Sequence, residues 1–380
     1  MWDGKEQDII ESCITSHVLV DGCEREALMG ALQARYDKVP TLVNSGRSAI
    51  QLALENSHIA GGFSVLVPSF GCTGTIQPII QAGYVPKFMD VGDDLNAHLS
   101  NIKDAIDPDV RAVVVPSLYG NPTDLDKIES YCQKNDIYMV DDAAQSIGAT
   151  HKKRLVGTFG DAGTLSFNLG KIISATGGGV TLTQNHIDQP VLDDTPNQVA
   201  QRTINMLLRV RHRKLFLPFC TVMDQIFKQS KFDYPMHRMA NLDASLIISQ
   251  YNKLEDIIKA RVRNAKIMDD ALDGTCWYRI DTSKNSVNTK YVVSPQLHAD
   301  KNVRNPAIVK MVRKLAANGV EAEWSYMPLH IREQFSTYKK PKDGLPNTEI
   351  LWGNVVALPI NPVYDEEQMK DIAWRILKSL

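Results

Sequence analysis

From about residue 41 to 183 the chain alternates between short apolar runs and longer segments whose apolar positions recur at helical spacing. The runs are Thr41–Asn44, Ser64–Pro68, Pro86–Val91, Arg111–Pro116 and Ile137–Asp141. Between them lie segments such as Ser48–Glu55, Thr73–Ala82 and Leu125–Asn135. Within a run the apolar residues follow one another without polar alternation, the pattern of a strand buried on both faces. Helical crossovers between such strands predict a mostly parallel sheet sandwiched by helices, an α/β fold. Two further strands, near Gly163–Phe167 and Gly179–Thr183, flank a loop that carries Lys171.

Beyond residue 183 the alternation stops. The stretch 185–233 contains LLRVRHRKLFLPFCTVMDQIFKQSKF, basic, apolar and helix-like. It reads either as a surface helix packing on a partner subunit or as a helix for a membrane surface or an acceptor. Leu242–Leu272 reads as one long helix with Arg261, Arg263 and Lys266 on its polar side. The remainder mixes short strands with helices at Asn305–Ala317 and Asp365–Leu380. The expected division is a large α/β domain over 1–250, with an atypical helical insert at about 185–233, and a smaller α+β domain over 251–380.

The length of 380 residues and 43% hydrophobic content support a large core plus a smaller one. A net charge of −2 gives no global attraction toward nucleic acid or anionic membrane. No apolar run approaches a membrane span, and MWDGKEQDIIES is acidic and polar where a signal peptide is basic and then apolar. The six cysteines are scattered without a CxxC pair or neighbouring histidines, as expected of reduced thiols rather than disulfides or a metal site. A cytoplasmic protein with no metal is the expectation.

In open α/β sheets ligands gather at the carboxyl ends of the strands. Asn44-Ser-Gly, Pro68-Ser-Phe-Gly, Pro116-Ser-Leu-Tyr and Asp141-Asp all fall there. The stretch Asp141–Thr183 offers an acidic pair ending a strand, a hydroxyl (Ser166) and a lysine (Lys171) five residues apart, and then a glycine run. That order suits pyridoxal phosphate. The cofactor needs an amine for a Schiff base, a carboxylate to keep its ring nitrogen protonated, and hydroxyls and backbone N–H groups for its phosphate. Each residue also has a plain structural reading. Lys171 alone is a solvated charge, Asp141 or Asp142 equally serves as a helix cap, and Gln145 is an exposed amide. The turn Asn44-Ser-Gly-Arg-Ser opens a helix whose amides favour an anion.

Over nearly its whole length the chain resembles the DegT/StrS family of nucleotide-sugar aminotransferases, a branch of the fold-type I pyridoxal phosphate enzymes. The residues that carry the resemblance are Ser45-Gly-Arg-Ser-Ala-Ile, Val65-Leu-Val-Pro-Ser-Phe-Gly, Ala82-Gly-Tyr-Val-Pro-Lys-Phe-Met-Asp-Val, Val140-Asp-Asp-Ala-Ala-Gln, Gly157 through Lys171, and Gly319-Val with Tyr326-Met-Pro-Leu-His. The resemblance implies that Lys171 forms the Schiff base and shuttles the proton, and that Asp142 pairs with the pyridine nitrogen. It implies Gln145 at the phenolic oxygen, Ser166 at the phosphate, and Gly46, Arg47 and Ser48 as a second phosphate wall. It implies transfer of an amino group, from L-glutamate by family habit, to a keto group of a nucleotide-linked sugar, in polysaccharide or related glycan or antibiotic biosynthesis. It also implies a homodimer with active sites at the interface.

Three positions depart from the family pattern. Arg47 stands where threonine is common, and a guanidinium binds phosphate bidentately. Cys72 stands where an aromatic stacks on the ring, leaving stacking weaker or assigned elsewhere, for example to Phe70. In Tyr234-Pro-Met-His-Arg-Met, Met236 replaces the asparagine that reaches the partner's phosphate; Arg238 is retained, as a structural residue or a contact across the dimer. Of the candidate substrate contacts, His330 borders the sugar or is a structural polar group, Trp324 lines the pocket or packs the small domain, and Tyr326 sits between them. Other readings are a non-catalytic or regulatory protein on the same fold, a transaminase of a keto sugar not linked to a nucleotide, and a sugar dehydratase. Lys171 argues against the last, because those enzymes replace the lysine by histidine.

Overall fold

The computed structural model describes residues 4–188, 190, 192–211, 235–280, 285–295 and 303–380. The main sheet contains β1 (Val39–Val43), β2 (Ser64–Pro68), β3 (Val85–Met89), β4 (Val110–Pro116) and β5 (Tyr138–Asp142). After a two-stranded ribbon of β6 (Thr150–His151) and β7 (Arg154–Leu155), it is completed by β8 (Ala162–Ser166) and β9 (Gly179–Thr183). The spatial order is β1-β9-β8-β5-β4-β2-β3, and only β9 runs against the rest.

Successive residues of each strand feed different cores, the physical meaning of the unalternating apolar runs. Leu66, Val113, Val115 and Met139 join the core on one face with Leu28 and Leu32 of the helix Glu24–Tyr36. Val65, Val67, Ala112, Val114 and Val140 join the core on the other, with Ile50 and Leu54 of the helix Gly46–Glu55 and Ile76 and Ile79 of the helix Thr73–Gln81. Each fully buried Leu or Ile of this kind stabilises the fold by about 1.5–3 kcal/mol.

The expected helix over Leu242–Leu272 is two helices, Asn241–Tyr251 and Leu254–Leu272. The Asn252 and Lys253 amides turn back to Ile248 and Gln250 carbonyls, ending the first helix. The first helix is buried nearly all round; the second has one buried stripe, and a straight rod does not meet both demands. Arg261 is not on a polar side: it is buried and donates to the carbonyls of Asn288 and Thr289.

A second sheet, β10 (Trp277–Arg279), β11 (Tyr291–Pro295), β12 (Glu323–Trp324) and β13 (Val356–Leu358), has the order β10-β11-β13-β12 and is wholly antiparallel. Its core takes Met268 and Leu272 from the helix Leu254–Leu272, Ile308 and Leu315 from Pro306–Ala317, and Met369 and Ile376 from Glu366–Leu377. Of the 185–233 stretch, the helix Pro196–Arg211 is described, while 212–234, most of the basic apolar segment, lies outside the described residues.

Candidate active site

The loops leaving β1, β2, β4, β5 and β8 converge on a cavity of about 400 Å³. Gly46, Arg47, Cys72, Asp142, Gln145, Ser166, Lys171 and Tyr326 all line it.

The pleat of β5 separates the two aspartates. Asp142 lines the cavity, where its Oδ1 accepts from the Thr164 hydroxyl at 3.1 Å and the Ala144 amide at 3.0 Å. The capping and ligand readings of Asp142 thus describe one residue: a local turn orients the carboxylate that faces the cavity. Burial raises its pKa, opposed by the Ala144 amide, Lys171 and Thr164. Asp141 points elsewhere, and its Oδ2 accepts from the amides of Gly157 (2.5 Å) and Phe159 (3.1 Å).

Lys171 follows β8 in a loop closed by the Ala175 amide on the Phe167 carbonyl at 2.7 Å. Gln250 grips the same loop from behind, accepting from the Ser174 amide at 3.2 Å and donating to its carbonyl at 2.5 Å. Burial lowers the Lys171 pKa and Lys290 lowers it further, while Cys72 and Asp142 oppose the shift. An amine held toward its neutral form is a nucleophile and a base.

Gln145 accepts from the Tyr119 amide at 3.2 Å and donates to the Tyr326 hydroxyl at 3.3 Å. The Tyr119 backbone is left-handed (φ 57°), a conformation non-glycine residues seldom adopt, and it stacks on Tyr326 with ring centroids 6.1 Å apart. Gly46 lies against Ser166: a Cβ there would fall 2.6 Å from the serine Cβ, so only glycine permits this approach. Gly46 and Arg47 open one helix while Thr73 and Gly74 open another, so two helix N-termini, each carrying the positive end of its dipole, line the cavity. Arg47 donates to Gln77 at 3.1 Å.

Other expected residues lie elsewhere. Ser48 is buried and its hydroxyl engages Asn44 (2.6 Å) and Ser45 (2.9 Å) rather than the cavity. Phe70 is fully buried, edge-on to Tyr326, so it braces that ring from behind the wall. Cys72 caps the helix Thr73–Gln81, accepting from the Gly74 amide at 3.3 Å. His330 binds the Ser69 hydroxyl at 2.6 Å and sits 3.4 Å from Glu349, off the cavity wall. Trp324 is exposed, with the Arg304 guanidinium 4.2 Å from its ring centre. Arg238 pairs with Asp193. Met236 packs on Val43, Ala49 and Leu52, and Tyr234 is outside the described residues.

Two lining residues, Lys290 and Glu323, carry no motif and are invisible in the sequence. Ser117 also lines the cavity, and its buried Oγ has no hydrogen-bond partner among the described residues. An amine tending to neutrality, a carboxylate, an amide, an orphan hydroxyl and an anion-favouring end form a donor set that fits pyridoxal phosphate.

Comparison with known proteins decides the lineage. Residues 3–377 match the model of the DegT/DnrJ/EryC1/StrS aminotransferase family. The chain belongs to this family. As a DegT/DnrJ/EryC1/StrS member it is 24% identical over 379 residues to GDP-perosamine synthase of Vibrio cholerae, covering 97% of this chain and 95% of that protein. It is 38% identical over 141 residues to a UDP-N-acetyl-3-dehydro-alpha-D-glucosamine 3-aminotransferase of Acidithiobacillus ferrooxidans, covering 37% of this chain and 38% of that protein. Its fold matches the E. coli GDP-4-keto-6-deoxy-D-mannose-3-dehydratase solved with bound hydrated PLP, with a TM-score of 0.76 and 20% identity, covering 99% of this chain and 97% of that one. The fold-type I architecture expected from the sequence is the one this family member has.

Proposed function

We propose that this family member is a pyridoxal-phosphate-dependent aminotransferase. It would take an amino group from an amino acid, L-glutamate in the first instance, and place it on a keto group of a nucleotide-linked sugar. The observation that carries the reading is the convergence of Lys171 and Asp142, 29 residues apart in sequence, on one cavity at the carboxyl ends of the strands. The sugar-nucleotide acceptor is supported by the names of the relatives, GDP-perosamine synthase and the UDP-sugar 3-aminotransferase. Lys171 supports transamination over dehydration.

When bound, the cofactor supplies an aldehyde for amine exchange and a ring that takes up electron density from the reacting carbon. Lys171 Nζ would hold it covalently and, once displaced by the donor, carry the proton from the donor carbon. Asp142 would keep the ring nitrogen protonated, with Thr164 and the Ala144 amide fixing the carboxylate. Gln145, tied to Tyr119 and Tyr326, would face the phenolic oxygen. Ser166, Gly46 and Arg47 would receive the phosphate. A homodimer, a cytoplasmic location, and a large N-terminal domain (1–250) with a small C-terminal one (251–380) complete the proposal.

The test is the visible spectrum of the protein with pyridoxal phosphate, before and after L-glutamate. The wild type should show a bound-cofactor band that glutamate bleaches, and Lys171→Ala should lose it and reduce turnover by at least about 10³-fold. Wild-type turnover in Lys171→Ala would overturn the assignment.

A further inference from the structure

A two-stage transaminase meets two chemically different substrates in one pocket. The amino acid brings a carboxylate on the very carbon that loses nitrogen; the sugar brings a carbonyl with no charge beside it. A cation that suits the first substrate would stand unpaired against the second.

The cations lining the cavity, among the described residues, are Arg47, Lys171 and Lys290. Arg47 lies at the helix openings assigned to phosphate, and Lys171 is the reacting amine. Lys290 comes from the opposite wall. It immediately precedes β11, and Glu323 begins β12; these strands lie on either side of β13, and the lysine arm reaches across to the glutamate. Lys290 Nζ donates to Glu323 Oε1 at 2.5 Å.

The base of Lys290 is rigid. The preceding residue, Thr289, donates its amide to the Tyr119 carbonyl at 2.9 Å and its hydroxyl to the Gln145 carbonyl, and its own carbonyl accepts from buried Arg261 at 3.1 Å. The lysine arm, by contrast, has four rotatable carbons. The pair it makes is weak in free energy, because the Glu323 side chain is 49% exposed and the Lys290 side chain 25%. Half-exposed pairs contribute about 0–1 kcal/mol, so opening this one costs little and Glu323 rehydrates at once.

We propose that Lys290 is the donor-carboxylate contact of this enzyme, and that Glu323 is its resting partner, taking the ammonium back when the uncharged sugar carbonyl occupies the same place. The inference rests on the transamination reading above. The donor's α-carboxylate is favoured over the diphosphate of a sugar nucleotide by distance along the ligand. The carboxylate is one bond from the reacting carbon and must lie in the pocket of Lys171, whereas the diphosphate is separated from it by ring atoms.

Binding of two stable adducts to the cofactor-free full-length protein tests this. N-(5′-phosphopyridoxyl)-L-alanine and N-(5′-phosphopyridoxyl)ethylamine differ by one carboxylate and do not react, so titration calorimetry reads affinity rather than turnover. The wild type should prefer the alanine adduct by about tenfold, typical of one charged contact. Lys290→Ala should erase that preference while leaving ethylamine-adduct binding intact, which also reports that the variant is folded. Glu323→Gln should move the preference the other way, widening it by about threefold or more, because the ligand carboxylate no longer competes for the ammonium. A purely structural ion pair predicts losses of the same sign in both variants. That pattern, or a Lys290→Ala variant that weakens both adducts alike, overturns the proposal. A wild type that binds both adducts equally overturns it and leaves the cofactor reading standing. A wild type that binds neither defeats both.

Discussion

At the scale of single residues, the chain assigns two adjacent aspartates opposite tasks by the period of a strand. Asp142 faces the cavity; Asp141 is buried behind it, and its carboxyl is pushed up to about 7, chiefly by loss of water and against the pull of the Gly157 and Phe159 amides. Its ordinary value is 3.8. A folded-state value above the unfolded one means the native state binds the proton more tightly. The stabilisation is therefore full below about pH 4 and is lost as pH rises toward 7. Asp141→Asn keeps an oxygen for both amides and removes the charge. Urea unfolding at pH 5 and pH 8 should show the wild type losing on the order of 2–4 kcal/mol more than the variant across that interval. Equal losses would show that Asp141 is ionised at no cost. Two of the departures from the family pattern have a local role: Met236 packs on Val43, Ala49 and Leu52, and Cys72 serves as a helix cap.

At the scale of elements, the helix Pro196–Arg211 is fastened to the back of the lysine loop by charge. Arg202 spans Asp194 and Asp243, its Nε donates to the Thr176 hydroxyl at 3.2 Å, and that hydroxyl donates to Asp243 at 2.5 Å. His237 closes the cluster on Asp194 at 2.7 Å. Asp243 is fully buried and Asp194 nearly so, so removing the shared cation strands two carboxylates away from water. Arg202→Ala should therefore destabilise the protein by about 3–5 kcal/mol. Hydrogen exchange should speed up around 172–179, the loop that carries Lys171 at its foot. Unchanged exchange in that loop would mean the helix is not what holds it. The break between Asn241–Tyr251 and Leu254–Leu272 belongs to the same scale. Gln250, at the end of the first helix, turns inward to hold Ser174 from the other side.

At the scale of the whole molecule, the cavity exists because two sheets meet: the loops of the parallel sheet supply Lys171, Asp142, Gln145 and Ser166, and the small sheet supplies Lys290, Glu323 and the approach to Tyr326. The proposed homodimer predicts that sedimentation velocity at micromolar concentration gives twice the 42.4 kDa chain mass; a monomer that still converts pyridoxal phosphate with glutamate would show that one chain completes the site. By itself the sequence determined the parallel sheet, because strands buried on both faces must be apolar at every position, as in Val65–Val67 and Val113–Val115. It also pointed to the candidate amine, carboxylate and hydroxyl, because Asp142, Ser166 and Lys171 follow one another within one stretch at the carboxyl ends of neighbouring strands, and all three line the cavity. Only the tertiary structure decided what depends on residues far apart in the chain. Ser48 turned from the cavity into a hydroxyl network, and His330 went to Ser69 and Glu349. Arg261 went inward because the loop at Asn288 and Thr289 offered it carbonyls. The Lys290–Glu323 pair had no signature at all, since its partners stand 33 residues apart, one just before β11 and one at the start of β12. Local spacing fixes what one element can present; which elements meet is set by the packing of the entire core, and that is where these residues acquired their neighbours.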